Sequence, residues 1–225
     1  MYNFNLINII PYIDSLRLAV WNTIEISFIA TILSTILGIF IALTRLSQNY
    51  FFRLFGTIYV EVIRNMPMVV LLYLIFFGLP SIGIVFSGYV SGLIALTLNS
   101  AAFMTEIFRS GLMAISKGQF EASRAQGFSE FQLYRFVILP QVFRISYASF
   151  GNQIIGVIMG SSIMMVATID EVTAWMFNTG SINYRYFEVF FIGGLIYFLL
   201  CQSVTAVKNI FGKLIFKTEA AGGQW

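Results

Sequence analysis

Glu61 and Arg64 stand three residues apart in the apolar run VEVIRNMPMVVLLYLIFFG, and Pro67 follows at the same interval. If this run is a membrane helix, each charge costs several kcal/mol to insert, so both must meet a partner or a watery cavity. Residues at i, i+3 share a helical face, so an ion pair between them is expected. Two roles fit such a pair: neutralising itself while holding two helices together, or offering separated opposite charges to a ligand that carries both. Pro67 lacks an N–H and can break the helix, freeing the carbonyl of Ile63 or Arg64 to face a cavity. Asn99 and Ser100 place an amide and a hydroxyl early in another apolar run. Asp170 and Glu171 lie at the end of a third, where capping by solvated carboxylates and a gating role are both open.

Composition says what must position these groups. Of 225 residues, 58% are hydrophobic and 10% charged. A soluble domain carries about 25% charged residues, so the chain reads as an all-α integral membrane protein with a single membrane domain, 1–225. A net charge of +3 on scattered Lys and Arg excludes a nucleic-acid surface. With no histidine and one cysteine, Cys201, neither an internal disulfide nor a His/Cys metal site can form. No cofactor is implied.

Five stretches are long and apolar enough to span a bilayer as helices: 23–43, 55–77, 89–108, 145–167 and 186–207. Residues 1–22 read as an external amphipathic segment, broken at Asn8, Pro11 and Asp14, and 209–225 as a tail. Ten Lys and Arg fall on one side of this arrangement and two, Arg17 and Arg185, on the other. The positive-inside rule then places the N-terminus outside and the C-terminus in the cytoplasm. Trp175, Phe177, Tyr184 and Tyr186 suit an interfacial aromatic belt.

The third connection, 109–144, is too polar to cross and too regular to be slack. SKGQFEASRAQ predicts a helix capped by Ser116. Gly127 allows a left-handed turn, and SEFQLYRFVIL predicts a second short helix that stops near Pro140. Periodicity alone leaves two readings, an interfacial anchor and an element that a cytoplasmic partner grips.

Within this connection, Glu121, Ala122 and Ser123, then Gly127 and the pair Leu139 and Pro140, resemble the EAA loop of permease subunits of ATP-binding-cassette importers. Ser123 stands where a second alanine is usual and Val137 where isoleucine is. AVWNTIEIS, VEVIRNMP, LNSAAFMTEIFRSGL and SSIMMVATIDE are similar, in the same order, to parts of the polar amino-acid subgroup, with Met66 in place of a common threonine. The resemblance implies a type I importer permease fold and a coupling helix that sits in a cytoplasmic ATP-binding subunit dimer. It also implies an extracytoplasmic solute-binding protein, a second permease subunit and a bacterial inner-membrane location.

For the site, the resemblance implies that the regions around Glu61–Pro67, Asn99–Ala102 and Ser162–Asp170 line a pocket. Arg64 would take the carboxylate of a polar amino acid, and Glu61, Asn99 and Asp170 its ammonium; Pro67, Ser100, Ala101 and Ser162 complete the set. Gly151, Gly156 and Gly160 would present one small-residue face to the second permease. The chain has no Gly-Lys-Ser/Thr phosphate loop, so ATP chemistry would belong to the partner and this subunit would not be an enzyme. The alternatives are a gradient-driven transporter or channel working through Glu61 and Arg64, and a membrane-embedded enzyme. The second lacks a recognisable nucleophile and the first leaves the third connection without a purpose.

Overall fold

The computed structural model describes residues 4–216. Among them the elements are helical: α1 (Ile13–Leu46), α2 (Tyr50–Asn65), α3 (Met68–Tyr73), α4 (Gly88–Met113), α5 (Lys117–Ala125), α6 (Glu130–Gln132), α7 (Leu139–Ser161), α8 (Val172–Asn183) and α9 (Tyr186–Phe216). Four stretches, Leu6–Leu46, Gly88–Met113, Glu130–Ala167 and Tyr186–Leu214, are long and apolar enough to cross a membrane unaided.

α1 and α4 form the centre. α1 buries a small and polar stripe, Ala19, Thr23, Ser27, Ala30, Ser34 and Gly38, and exposes Phe28, Ile32, Ile36 and Phe40. In lipid, large apolar side chains gain nothing by hiding, whereas small ones let backbones approach. A β-carbon on Gly38 would lie 2.5 Å from Met104 Cβ, and Thr105 Oγ1 donates to the Gly38 carbonyl at 3.2 Å. The two helices are parallel, since Tyr89 bonds Glu25 near one end and Arg45 meets Glu106 near the other. α7 runs antiparallel to α4, with Gly88 against Ala167, Gly160 against Leu96 and Gly111 against Ser146.

Because α1 and α4 are parallel, the chain between them must recross the bilayer. It does so through α2 and the stretch Met68–Ile82, bent by 107° at Met66 and Pro67. The expected second span is therefore present, broken where Pro67 predicts. The first span is longer than expected: a 3-10 turn, Leu6–Tyr12, carries Pro11 and feeds directly into α1, so Asn8, Pro11 and Asp14 interrupt nothing. Asn5 caps that turn by accepting from the Ile7 amide. α9 likewise continues past 208 to Phe216.

Pro140 does not end a helix. The segment Leu133–Ile138 is a π turn in which the Leu139 amide donates to the Tyr134 carbonyl, and α7 continues from it. A π turn inserts one extra residue into the helix, so the missing proline donor is absorbed without breaking the rod. The same device precedes Pro80, where Leu74–Gly78 is π and the Leu79 amide donates to the Leu74 carbonyl.

The glycines of α7 do not share a face. Gly151 packs on the stem of Lys208 in α9 and Gly160 on Leu96 and Met68, while the space beside Gly156 is open. Successive intervals of five and four residues place Gly151 and Gly160 on opposite sides of the helix.

Candidate functional site

The break between α2 and α3 organises the site. Met66 is extended, Pro67 opens α3, and the Pro67 carbonyl accepts from the amides of Val70 and Leu71. The Ile63 carbonyl accepts a long 3.4 Å bond from Met66. Met68, just past the break, packs beside Gly160 and Leu96, and Tyr59 Oη donates to the Leu98 carbonyl at 2.8 Å. The break, the Leu96–Asn99 turn of α4 and the end of α7 that leads to Ser162 therefore meet.

The expected Glu61–Arg64 pair does not form. Glu61 is exposed and holds Asn65, whose amide nitrogen donates to the Glu61 carbonyl at 2.7 Å and to its carboxylate at 3.4 Å. Arg64 turns instead toward Glu106 of α4, 3.8 Å away, with its guanidinium 5.3 Å from the centre of the Phe103 ring. Glu106 also accepts from Arg109, as the i, i+3 spacing predicts, through Nε at 3.1 Å and a terminal nitrogen at 2.8 Å. Arg45, from the end of α1, completes the group through a direct bond to the same carboxylate. The packing of α2 against α4 brings both the Glu106 carboxylate and the face of Phe103 to Arg64, while Glu61 is engaged with Asn65. Arg45 and Arg64 give no local sequence signal of this convergence.

Other expected site residues separate. Asn99 is half-buried, but Ser100 and Ala101 are fully packed in α4, so neither lines a cavity in this conformation. Ser162 donates to the Met159 carbonyl. Asp170 is exposed and stands apart, its carbonyl accepting from the Asn22 amide of α1.

On the face where α1 and α4 end, α5 and α6 form a braced hairpin. Ser116 occupies the cap position without a side-chain bond, whereas Ser129 and Gln132 form a full capping box on α6. Gly127 has φ +81° and makes the turn. Arg124 Nε binds Glu130 at 2.8 Å across it. Ser123 faces inward, and its hydroxyl donates to the Gln119 carbonyl, so the serine that replaces a usual alanine is buried and satisfied. Ile115, Leu133, Ile138 and Val142 pack beneath with Phe120 and Phe128. Glu121, Ala122 and Arg124 remain exposed.

The opposite face carries α8, which sequence periodicity does not reveal. Glu171 caps it from full burial, accepting from the amides of Thr173 and Ala174 at 2.8 Å each and from Tyr197 Oη at 2.6 Å. Capping is thus its role, but not as a solvated group. Burial pushes its carboxyl above the ordinary range, and these hydrogen bonds oppose the shift. Trp175 is buried, with Nε1 donating to Ser15 and Tyr12, and so leaves the expected belt; Phe177, Tyr184 and Tyr186 are exposed as expected. Glu188, also buried, accepts from the Asn5 amide and from Arg185.

A broken, charge-bearing span inside a bundle of long apolar helices, with a braced hairpin at one face, defines the class of a multi-pass membrane protein. The family model for the binding-protein-dependent transport system inner membrane component matches residues 34–217, and the chain belongs to that family. It is 35% identical over 191 residues to the probable amino-acid ABC transporter permease protein YckA of Bacillus subtilis, covering 85% of this chain and 84% of that one. It is 33% identical to the arginine transport system permease protein ArtQ of the same organism, covering 88% and 91%. Among solved structures, an amino acid ABC transporter crystallised with histidines superposes with a TM-score of 0.88 at 30% identity over 94% of this chain and 99% of that one. The MetNI methionine transporter shares the fold, with a TM-score of 0.75 at 22% identity over 91% and 98%. The type I importer permease fold expected from the sequence is borne out.

Proposed function

We propose that this chain is the membrane-spanning subunit of an ATP-driven importer that carries a polar amino acid into a bacterial cytoplasm by alternating access. The observation that carries the reading is the hairpin at 116–140. It is exposed on its outer side, bridged across its turn by Arg124 and Glu130, and continuous through the π turn with α7. The amino-acid assignment draws on the names of the relatives, which include permeases for glutamine and arginine. The chain holds no ATP-binding loop, so a separate dimer of ATPase subunits would dock on the hairpins of two permeases. A solute-binding protein would deliver the amino acid at the α8 face. The basic residues at the hairpin face support an N-terminus outside and a C-terminus in the cytoplasm.

In this reading the pocket is centred on the break: Glu61 and Asn99 offer oxygens to the ammonium, Arg64 faces the carboxylate, and Pro67 and Ser162 shape the wall. Ser100 and Ala101 act from behind as packing, and Asp170 acts at the outer mouth.

The test is affinity purification of the tagged protein from its native membrane in mild detergent, beside an Ala122→Trp variant. Ala122 is exposed, so the bulky ring disturbs docking and not the fold. An ATPase that is retained by the native chain and lost from the variant supports the reading. A stable complex with no ATPase in either sample overturns it and leaves a gradient-driven transporter.

A further inference from the structure

Three guanidiniums, Arg45, Arg64 and Arg109, converge on one carboxylate, Glu106. Arg45 and Arg109 hold it with three direct bonds. Arg64 does not: at 3.8 Å it has the Coulomb attraction without a hydrogen bond. Its side chain is 40% exposed, against 14% for Arg45 and 27% for Arg109. The cluster therefore carries two positive charges in excess, and the least committed and most accessible of them is on Arg64. Glu61 and Asn65, exposed on the same stretch of α2, are already bonded to each other. A guanidinium that is 40% exposed and makes no hydrogen bond to its carboxylate has donors left for a second one.

We infer that Arg64 is shared: it rests beside Glu106 when the passage is empty and turns onto the carboxylate of the transported amino acid when the passage is filled. Glu106 is then a positioning residue that sets how tightly the ligand is held, because its Coulomb attraction for Arg64 competes with that of the ligand carboxylate. Filling the site also loosens α2 from α4 while Arg45 and Arg109 keep α1 and α4 clamped. This deepens the importer reading and rests on it.

The experiment uses the complex purified with its partner subunits and without the binding protein. Binding of radiolabelled glutamine, arginine and histidine is compared with binding of their α-amides, in which the carboxylate is replaced by a neutral carboxamide. The native complex should hold at least one free acid about tenfold or more tightly than its amide. Arg64→Lys should remove most of that preference, since an ammonium cannot make the paired contact. Glu106→Gln should tighten the acid by about tenfold and leave the amide unchanged. Equal binding of acid and amide, a parallel change of both in either variant, or no binding of any probe overturns the inference. If Glu106→Gln fails to assemble, the native and Arg64→Lys complexes still decide it. The importer reading fails separately, on the absence of a bound ATPase.

Discussion

The hydroxyl of Tyr197 in α9 lies 2.6 Å from the carboxylate of Glu171, which caps α8 from complete burial. Burial favours the neutral acid, so the folded carboxyl binds a proton at pH values where an unfolded one has lost it. By linkage, this group's contribution to stability is largest below the ordinary carboxylate range and falls as pH rises through the raised value. Glu171→Gln should flatten that fall. Thermal midpoints in detergent across mildly acid to neutral pH would show it, and a native slope equal to the variant's would contradict it. Glu171→Ala, which loses the cap as well, should cost about 1–3 kcal/mol at any pH.

Gly38 and Gly194 provide a matched pair. A β-carbon on Gly38 meets Met104 and the Thr105 amide, whereas one on Gly194 meets nothing within 4 Å. Gly38→Ala should destabilise by about 1–3 kcal/mol despite its better helix propensity. Gly194→Ala should be neutral or stabilising by up to about 1 kcal/mol. Denaturant or thermal unfolding of the two variants checks the ordering.

At Gly127 there is room for a side chain, and the constraint is the backbone, at φ +81°. Gly127→Asn should keep the hairpin, since asparagine tolerates the left-handed region. Gly127→Val should strain it by about 1–2 kcal/mol or more and reduce retention of the ATPase on purification, with little change in the melting of the bundle.

Pro140→Ala restores a backbone donor where a π turn has adapted to its absence. If the turn relaxes to ordinary α geometry, the hairpin rotates relative to α7. The expected outcome is a thermal midpoint near that of the native protein together with less transport per ATP hydrolysed in proteoliposomes. Unchanged coupling would show that the π turn persists without the proline.

Much of this fold was legible because lipid imposes simple requirements. Long apolar runs gave the spans, Pro67 gave the break, and Gly127 gave the hairpin turn. What could not be read shares one cause: it depends on which helix lies beside which. Arg64 prefers Glu106 over Glu61 only because α4 delivers Glu106 to it. Trp175 looked interfacial until α1 supplied Ser15 and the Tyr12 carbonyl as partners. Gly151 and Gly160 resembled one face because recurrence is visible in a string of letters and angular position is not. α8 was missed for a related reason, since its cap is a buried glutamate whose partner, Tyr197, lies on another helix.

The π turn before Pro140 has a mechanical consequence. From Glu130 to Ala167 the chain is helical over 38 residues, about 57 Å at 1.5 Å per residue. One end of this strut is pinned by Arg124 through Glu130, and the other abuts the first turn of α4 at Gly88. In the importer reading, this unbroken helical path is the route by which movement of the hairpin would be carried to Ser162 and Ala167 at the opposite end of the bundle.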